Sequence, residues 1–123
     1  MIFVVRLYEV NAVDARAFTA SFDEDGPWRR LSGRLRGYIH TDLLVRSTFT
    51  TVLLLLEFWQ SEQHYAIAER DTEVREFLRS LRNMAVSHQN LGLFCFRSQW
   101  EREMIQGSSF QMPADLSGCR LRQ

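Results

Sequence analysis

The chain has 123 residues, 46% of them hydrophobic, including nine Phe, three Trp and three Tyr, which suffices for one compact core and is too little for two ordinary domains. Fifteen basic residues balance fifteen acidic ones, so no overall field draws the protein to nucleic acid or to an anionic membrane. Every basic residue is Arg, which removes Schiff-base chemistry through a lysine amine.

Ile2 to Val10 is rich in β-branched and aromatic residues, with Phe3, Val5 and Leu7 on one face, and reads as a first strand. It carries Arg6 and Glu9 and lacks the basic leader and small-residue cleavage site of a secretory signal, so a cytoplasmic location is the default expectation. Asn11 and Asp14 resemble a capped helix start. Phe18 and Phe22 then share a helical face, Gly26-Pro27 interrupts, and a second short helical piece carries Trp28, Leu31 and Leu35 up to Gly37. A second strand is expected over Tyr38 to Arg46, a turn at Ser47-Thr48, and a third strand over Thr51 to Phe58. Ser61 is a good N-cap for a long helix from Glu62 to Met84, with Asp71-Thr72 placed to cap a restart. Residues 90 to 96 form the expected fourth strand. Beyond Phe96 a C-terminal extension, residues 97 to 123, has scattered apolar anchors and is expected either to wrap over a partner subunit or to be partly disordered. Cys95 and Cys119 form no CxxC pair and suggest no disulfide framework.

This order, βαββαβ, is that of an α+β ferredoxin-like domain over residues 1 to 96, with helices on one face of an antiparallel sheet. The third strand, Leu53-Leu54-Leu55-Leu56-Glu57-Phe58-Trp59, is apolar on both faces, so both need a cover. In a chain this short the economical cover for the second face is another copy of the same sheet, which predicts a homodimer.

The stretch from residue 2 to about 96 resembles the antibiotic biosynthesis monooxygenase family of dimeric α+β barrels. The carriers are the strand ending in Trp59, followed by Ser61 and Glu62, with Gln63 and Tyr65 matching its cofactor-independent, quinone-forming members. Arg75-Glu76-Phe77-Leu78-Arg79-Ser80-Leu81 is similar to a helical stretch in which the family carries a pocket arginine, and this puts Arg75 at that position. The resemblance implies a monooxygenase that needs no cofactor, with Tyr65 and Arg75 as catalytic residues and Trp59 lining the substrate pocket. It also implies an asparagine four residues before the tryptophan, where this chain has Leu55.

The residues support a reading of their own. Leu55 and Trp59 share a strand face and Tyr65 lies one turn past the N-cap, so the three can border one cleft. Arg75, ten residues beyond Tyr65, comes to roughly the same side of a continuous helix. An oxygenase without flavin or metal needs a substrate that itself donates an electron to oxygen: a phenolate, anthrone or hydroquinone anion. Arg75 would favour that anion, Tyr65 would orient it or relay a proton, and Trp59 would stack on its ring. The alternatives are packing for Trp59, a core-facing ring with a satisfied hydroxyl for Tyr65, and a solvated ion pair with Asp71 for Arg75.

His40, His64 and His88 form no HxxxH or HExxH pattern, and no carboxylate cluster supports a metal. Haem-degrading relatives of the same barrel need a further tryptophan and a histidine in the second helix, and Ala66 to Leu81 holds neither. Arg36-Gly37-Tyr38 superficially resembles an RNA-recognition motif but leads into the wrong strand, and Arg29, Arg30, Arg34 and Arg36 are offset by Asp23, Glu24 and Asp25. A barrel that binds a small apolar ligand, or acts structurally without turnover, is the remaining alternative, and Leu55 is its best support.

Overall fold

The computed structural model describes residues 1–47 and 50–106. The elements are β1 (Ile2–Asn11), α1 (Ala12–Ala20), α2 (Pro27–Ser32), β2 (Tyr38–Ser47), β3 (Thr50–Trp59), α3 (Glu62–Glu69), α4 (Thr72–Met84), β4 (Ser87–Phe94) and α5 (Arg97–Gln106). The four strands form one antiparallel sheet in the order β2-β3-β1-β4. This is the expected α+β ferredoxin-like fold, with each crossover helix broken into two pieces.

Local chemistry accounts for the breaks. Pro27 occupies the first turn of α2, where its missing N–H costs nothing. Ser61 caps α3 by accepting from the His64 backbone N–H at 3.2 Å, and Asp71 Oδ1 caps α4 by accepting from the N–H groups of Glu73 and Val74 at 2.9 and 3.1 Å. The anticipated single helix from Glu62 to Met84 is therefore two helices, with the restart at Asp71 real. The expected side-chain cap at Asn11 is absent, although Asn11 does occupy the N-cap position of α1.

Alternation along the strands sorts side chains onto two faces. Ile2, Val4, Tyr8 and Val10 of β1 and Leu53, Leu55 and Trp59 of β3 point toward the helices and are buried. They feed two core clusters. Tyr8, Val10, Phe18, Trp28, Leu53, Leu55, Phe77 and Leu81 build one, while Ile2, Val4, Trp59, Tyr65, Ala68 and Leu93 build the other. Leu54, Leu56 and Phe58 face the opposite side, half-buried within one chain.

Strand β4 begins three residues earlier than anticipated, because pairing with β1 extends to Ser87 opposite Glu9. It also contains a bulge: Val5 pairs with Gly92 and Arg6 with Asn90, which leaves Leu91 without a counterpart. Gly92 has φ 109°, and its N–H is taken by Asn90 Oδ1 at 2.9 Å. Of the anticipated C-terminal extension, Arg97–Gln106 is helical and residues 107–123, Cys119 among them, lie outside the described residues.

Candidate functional site

A charged residue interrupts the inward apolar row of each central strand. Arg6 stands between Val4 and Tyr8 on β1, and Glu57 between Leu55 and Trp59 on β3. The register sets Val4 opposite Glu57 and Arg6 opposite Leu55, which makes Arg6 and Glu57 diagonal neighbours on the helix-covered face. Arg6 Nη1 donates to Glu57 Oε2 at 2.8 Å. The other carboxylate oxygen of Glu57 accepts from Trp59 Nε1 at 3.0 Å.

The network continues into α3. Arg6 Nη2 donates to the Tyr65 hydroxyl oxygen at 3.0 Å, and the Tyr65 O–H donates to Glu69 Oε2 at 2.9 Å. Guanidinium has only donors, so it must take a lone pair on the Tyr65 oxygen. The single Tyr65 proton is thereby directed to Glu69.

Burial, first, pushes the Tyr65 hydroxyl above its ordinary value; Arg6 opposes this and Glu69 adds to it, with the net direction upward. Burial also raises Tyr8. For Arg6, desolvation works against the charge and is more than offset by Glu57, followed by Tyr65 and Tyr8, so the guanidinium stays charged. Tyr65 is thus a neutral, oriented donor fixed against a permanent cation.

Two clefts open on this network at the β4 side. One, of about 290 Å³, is lined by Tyr65, Glu62, Ala66, Glu69 and Leu93. The other, of about 210 Å³, is lined by Arg6, Tyr8, Glu69, Leu78, Arg82 and His88. Glu69 and Asn90 border both, so the two arms adjoin at these residues. A larger concavity of about 740 Å³ lies between α2 and α4 around Leu31 and Phe77, and none of the network residues lines it.

The four residues anticipated at one cleft are not brought together. Tyr65 lines the cleft, and the Trp59 ring lies behind it with centroids 5.9 Å apart, 1% exposed and sealed from the surface. Leu55, also 1% exposed, belongs to the other core cluster. Arg75 is exposed on α4, one position from inward-facing Val74, and takes no part in the network. Its expected position assumed an unbroken helix, and the break at Arg70-Asp71 changes the phase between Tyr65 and Arg75. The alternative partner for Arg75 is also taken: Asp71 pairs with Arg34, at 2.9 and 3.0 Å.

Arg6, Tyr8, Glu57, Glu69 and Arg82 are absent from the sequence-based candidates. A signal for Arg6 and Glu57 existed, since each is a charge in phase with buried apolar neighbours, and Glu69 stands four residues after Tyr65.

The histidines are dispersed. His40 Nε2 lies 2.7 Å from Asp42 Oδ1, His64 Nδ1 lies 2.7 Å from Ser61 Oγ, and His88 lies beside the Tyr8 ring at 6.4 Å. Among the described residues no group of three or more His, Cys, Asp or Glu is placed to hold a metal ion, and no helix is long and apolar enough to cross a membrane.

No family model and no curated protein matches the chain. Solved structures do. The chain is similar to a mutant of SnoaB, a cofactor-independent oxygenase from Streptomyces nogalater, with a TM-score of 0.59 and 19% identity over 78% of this chain and 92% of that one. A structure from Nitrosomonas europaea, provisionally assigned as an antibiotic biosynthesis monooxygenase, has a TM-score of 0.63 and 12% identity over 78% of this chain and 89% of that one. A conserved protein of unknown function from Bacteroides thetaiotaomicron has a TM-score of 0.59 and 20% identity over 77% of this chain and 97% of that one. At these identities the likeness is one of fold, and the fold is that of the antibiotic-biosynthesis-monooxygenase type.

Proposed function

We propose that the protein is a cofactor-independent monooxygenase acting on an electron-rich aromatic substrate of the phenol, anthrone or hydroquinone kind. The observation that carries this reading is the Tyr65 hydroxyl, fixed between Arg6 and Glu69 at a cleft that Ala66 and Leu93 also line. The cofactor-independent oxygenase among proteins of this fold supports it.

For an anthrone the steps balance. A ring C–H proton passes to a basic group at the cleft, for which Glu69 and His88 are placed. The resulting enolate gives one electron to O2, the radical pair joins as a carbon-bound peroxide that takes the proton back from the base, and loss of water, which carries off the second hydrogen of that carbon, leaves the quinone carbonyl. One oxygen atom enters the product and the other leaves as water. In this scheme the guanidinium facing the developing charge is Arg6, in place of the anticipated Arg75, while Tyr65 orients the substrate oxygen and Trp59 fixes Tyr65 from behind. The active unit is a homodimer through the open sheet face, in the cytoplasm, with no nucleic-acid or membrane partner.

A second reading, a small-ligand-binding or structural barrel without turnover, is favoured by Leu55. It stands where the resemblance implies a pocket asparagine, and it is packed into the core. Dissolved-oxygen uptake by the metal-stripped protein, with anthrones and hydroquinones and a protein-free blank, separates the two. Uptake above the blank that falls at least about tenfold in Tyr65→Phe supports the oxygenase. Uptake equal to the blank across the panel favours the ligand-binding barrel.

A further inference from the structure

The smaller arm of the depression sets the donors of Arg6, Tyr8 and Arg82 beside one carboxylate, Glu69, and the apolar Leu78. Tyr8 is 3% exposed, and its ring is locked in the core against Phe18 at 5.0 Å between centroids. Its hydroxyl has no hydrogen-bond partner among the described residues, and it faces the 210 Å³ cleft. The hydroxyl reaches the cleft and can donate there to a ligand in place of water.

Around it lie the remaining groups. Arg6 spends two of its five N–H groups on Glu57 and Tyr65. Arg82, in the last turn of α4, has no carboxylate within ion-pair distance among the described residues. His88 stands beside Tyr8. The one acidic side chain at the cleft is Glu69, already accepting from Tyr65. Arg6 is paired with Glu57, and Arg82 is the cation lining the cleft that has no ion pair, with Glu69 as the opposing charge of the same lining.

We propose that this arm is a carboxylate-binding subsite: Arg82 pairs with the carboxylate of a ligand, the Tyr8 hydroxyl donates to one of its oxygens, and the ligand's aromatic part extends past Glu69 toward Tyr65. A monoanion fits better than a phosphate, since only one cation of the cleft lacks an ion pair and Glu69 repels further negative charge. The aromatic part of the ligand rests on the oxygenase reading, whereas the carboxylate site does not.

The test is equilibrium binding, with no turnover involved. The intact protein is titrated with anthracene-2-carboxylate and with the neutral anthracene-2-carboxamide, following their fluorescence. The carboxylate should bind at least about tenfold tighter, as a charge-assisted, hydrogen-bonded pair with the exposed Arg82 implies. Arg82→Gln should reduce that preference to below about threefold, Tyr8→Phe should weaken carboxylate binding by a few-fold, and Arg79→Gln, an exposed change on the same helix, should leave the preference intact. Circular dichroism and the unfolding midpoint confirm that each variant is folded. Equal binding of the two probes, binding of neither, or a preference that survives Arg82→Gln in a folded protein overturns the subsite. A carboxylate preference without oxygen uptake by any substrate would overturn the oxygenase reading and leave the subsite standing.

Discussion

Arg6 and Glu57, 51 positions apart in the chain, meet at 2.8 Å with side chains only 9% and 5% exposed. Two charges this deep are held by each other and by Tyr65 and Trp59, so removing one leaves the other without compensation. Glu57→Leu should destabilise the protein by about 3–5 kcal/mol in denaturant unfolding. The double variant Arg6→Met/Glu57→Leu should recover most of that loss, since no orphaned charge remains. A Glu57→Leu protein within about 0.5 kcal/mol of the parent would mean that the pair is hydrated and not sealed.

The raised Tyr65 hydroxyl makes a prediction at high pH. The folded protein holds this proton more tightly than the unfolded chain, in which tyrosine titrates near 10. The stabilising contribution is complete below about pH 10 and is lost as the pH rises from there toward the folded-state value. The phenolate absorbance difference between the parent and Tyr65→Phe should therefore stay flat through the ordinary tyrosine range and rise only with unfolding. A difference that titrates near 10 would show the Tyr65 hydroxyl to be open to water.

Asp71 behaves in the opposite sense. The hydrogen bond from Arg34, then that from the Val74 N–H, lowers its carboxyl from 3.8 to about 2. A lowered acid contributes stability above its unfolded value and loses it as the pH falls through the folded one. The stability gap between the parent and Asp71→Asn should be constant above about pH 5 and narrow between about pH 4 and 2. It should also shrink in high salt, because the Arg34–Asp71 pair is solvent-facing. A gap independent of pH would assign the effect of Asp71 to helix capping alone.

The sequence carried the fold further than the site for a physical reason. Strand alternation, the Ser61 cap and the Gly26-Pro27 break are local, and each of these was legible from its own residues, whereas the helix Arg97–Gln106 carries no comparable start signal and was not anticipated. The Arg6–Glu57–Tyr65–Glu69 network depends on strand register and on the phase between α3 and α4, and neither is local. Arg75 stands apart from Tyr65 through phase: the two residues of non-helical chain at Arg70-Asp71 separate α3 from α4, and Arg75 is exposed. Arg6 was visible as a charge in a buried row, but its partner became evident only once β1 and β3 were aligned.

Gly37 and Gly33 make a contrasting pair. Gly37 has φ 84°, and a Cβ there would lie 2.2 Å from His64 Cγ, whose ring is held by Ser61 at 2.7 Å. Gly33 has φ −60°, with the nearest atom to an added Cβ at 3.4 Å. Gly37→Ala should cost about 1–3 kcal/mol and loosen the α3 N-terminus. Gly33→Ala should fall between neutral and about 1 kcal/mol stabilising, because the unfolded chain loses freedom and the folded one meets no clash. Equal effects of the two substitutions on the unfolding midpoint would show that His64 moves aside at little cost.

The sheet face turned away from the helices argues for the dimer. Phe3, Leu54, Leu56 and Phe58 lie on it half-buried, Leu44 stands 56% exposed opposite Leu54, and the rings of Phe3, Phe58, Phe94 and Phe96 are in mutual contact there. A contiguous apolar face of this kind is characteristic of an interface rather than of a solvated monomer. Sedimentation at micromolar concentration should give a dimer. Leu44→Asp, a change that one chain alone tolerates because the side chain already meets water, should shift the protein to monomer and lower its unfolding midpoint. If the parent sediments as a monomer, the sheet face must be covered otherwise; if Leu44→Asp remains a dimer, the subunits meet on another surface.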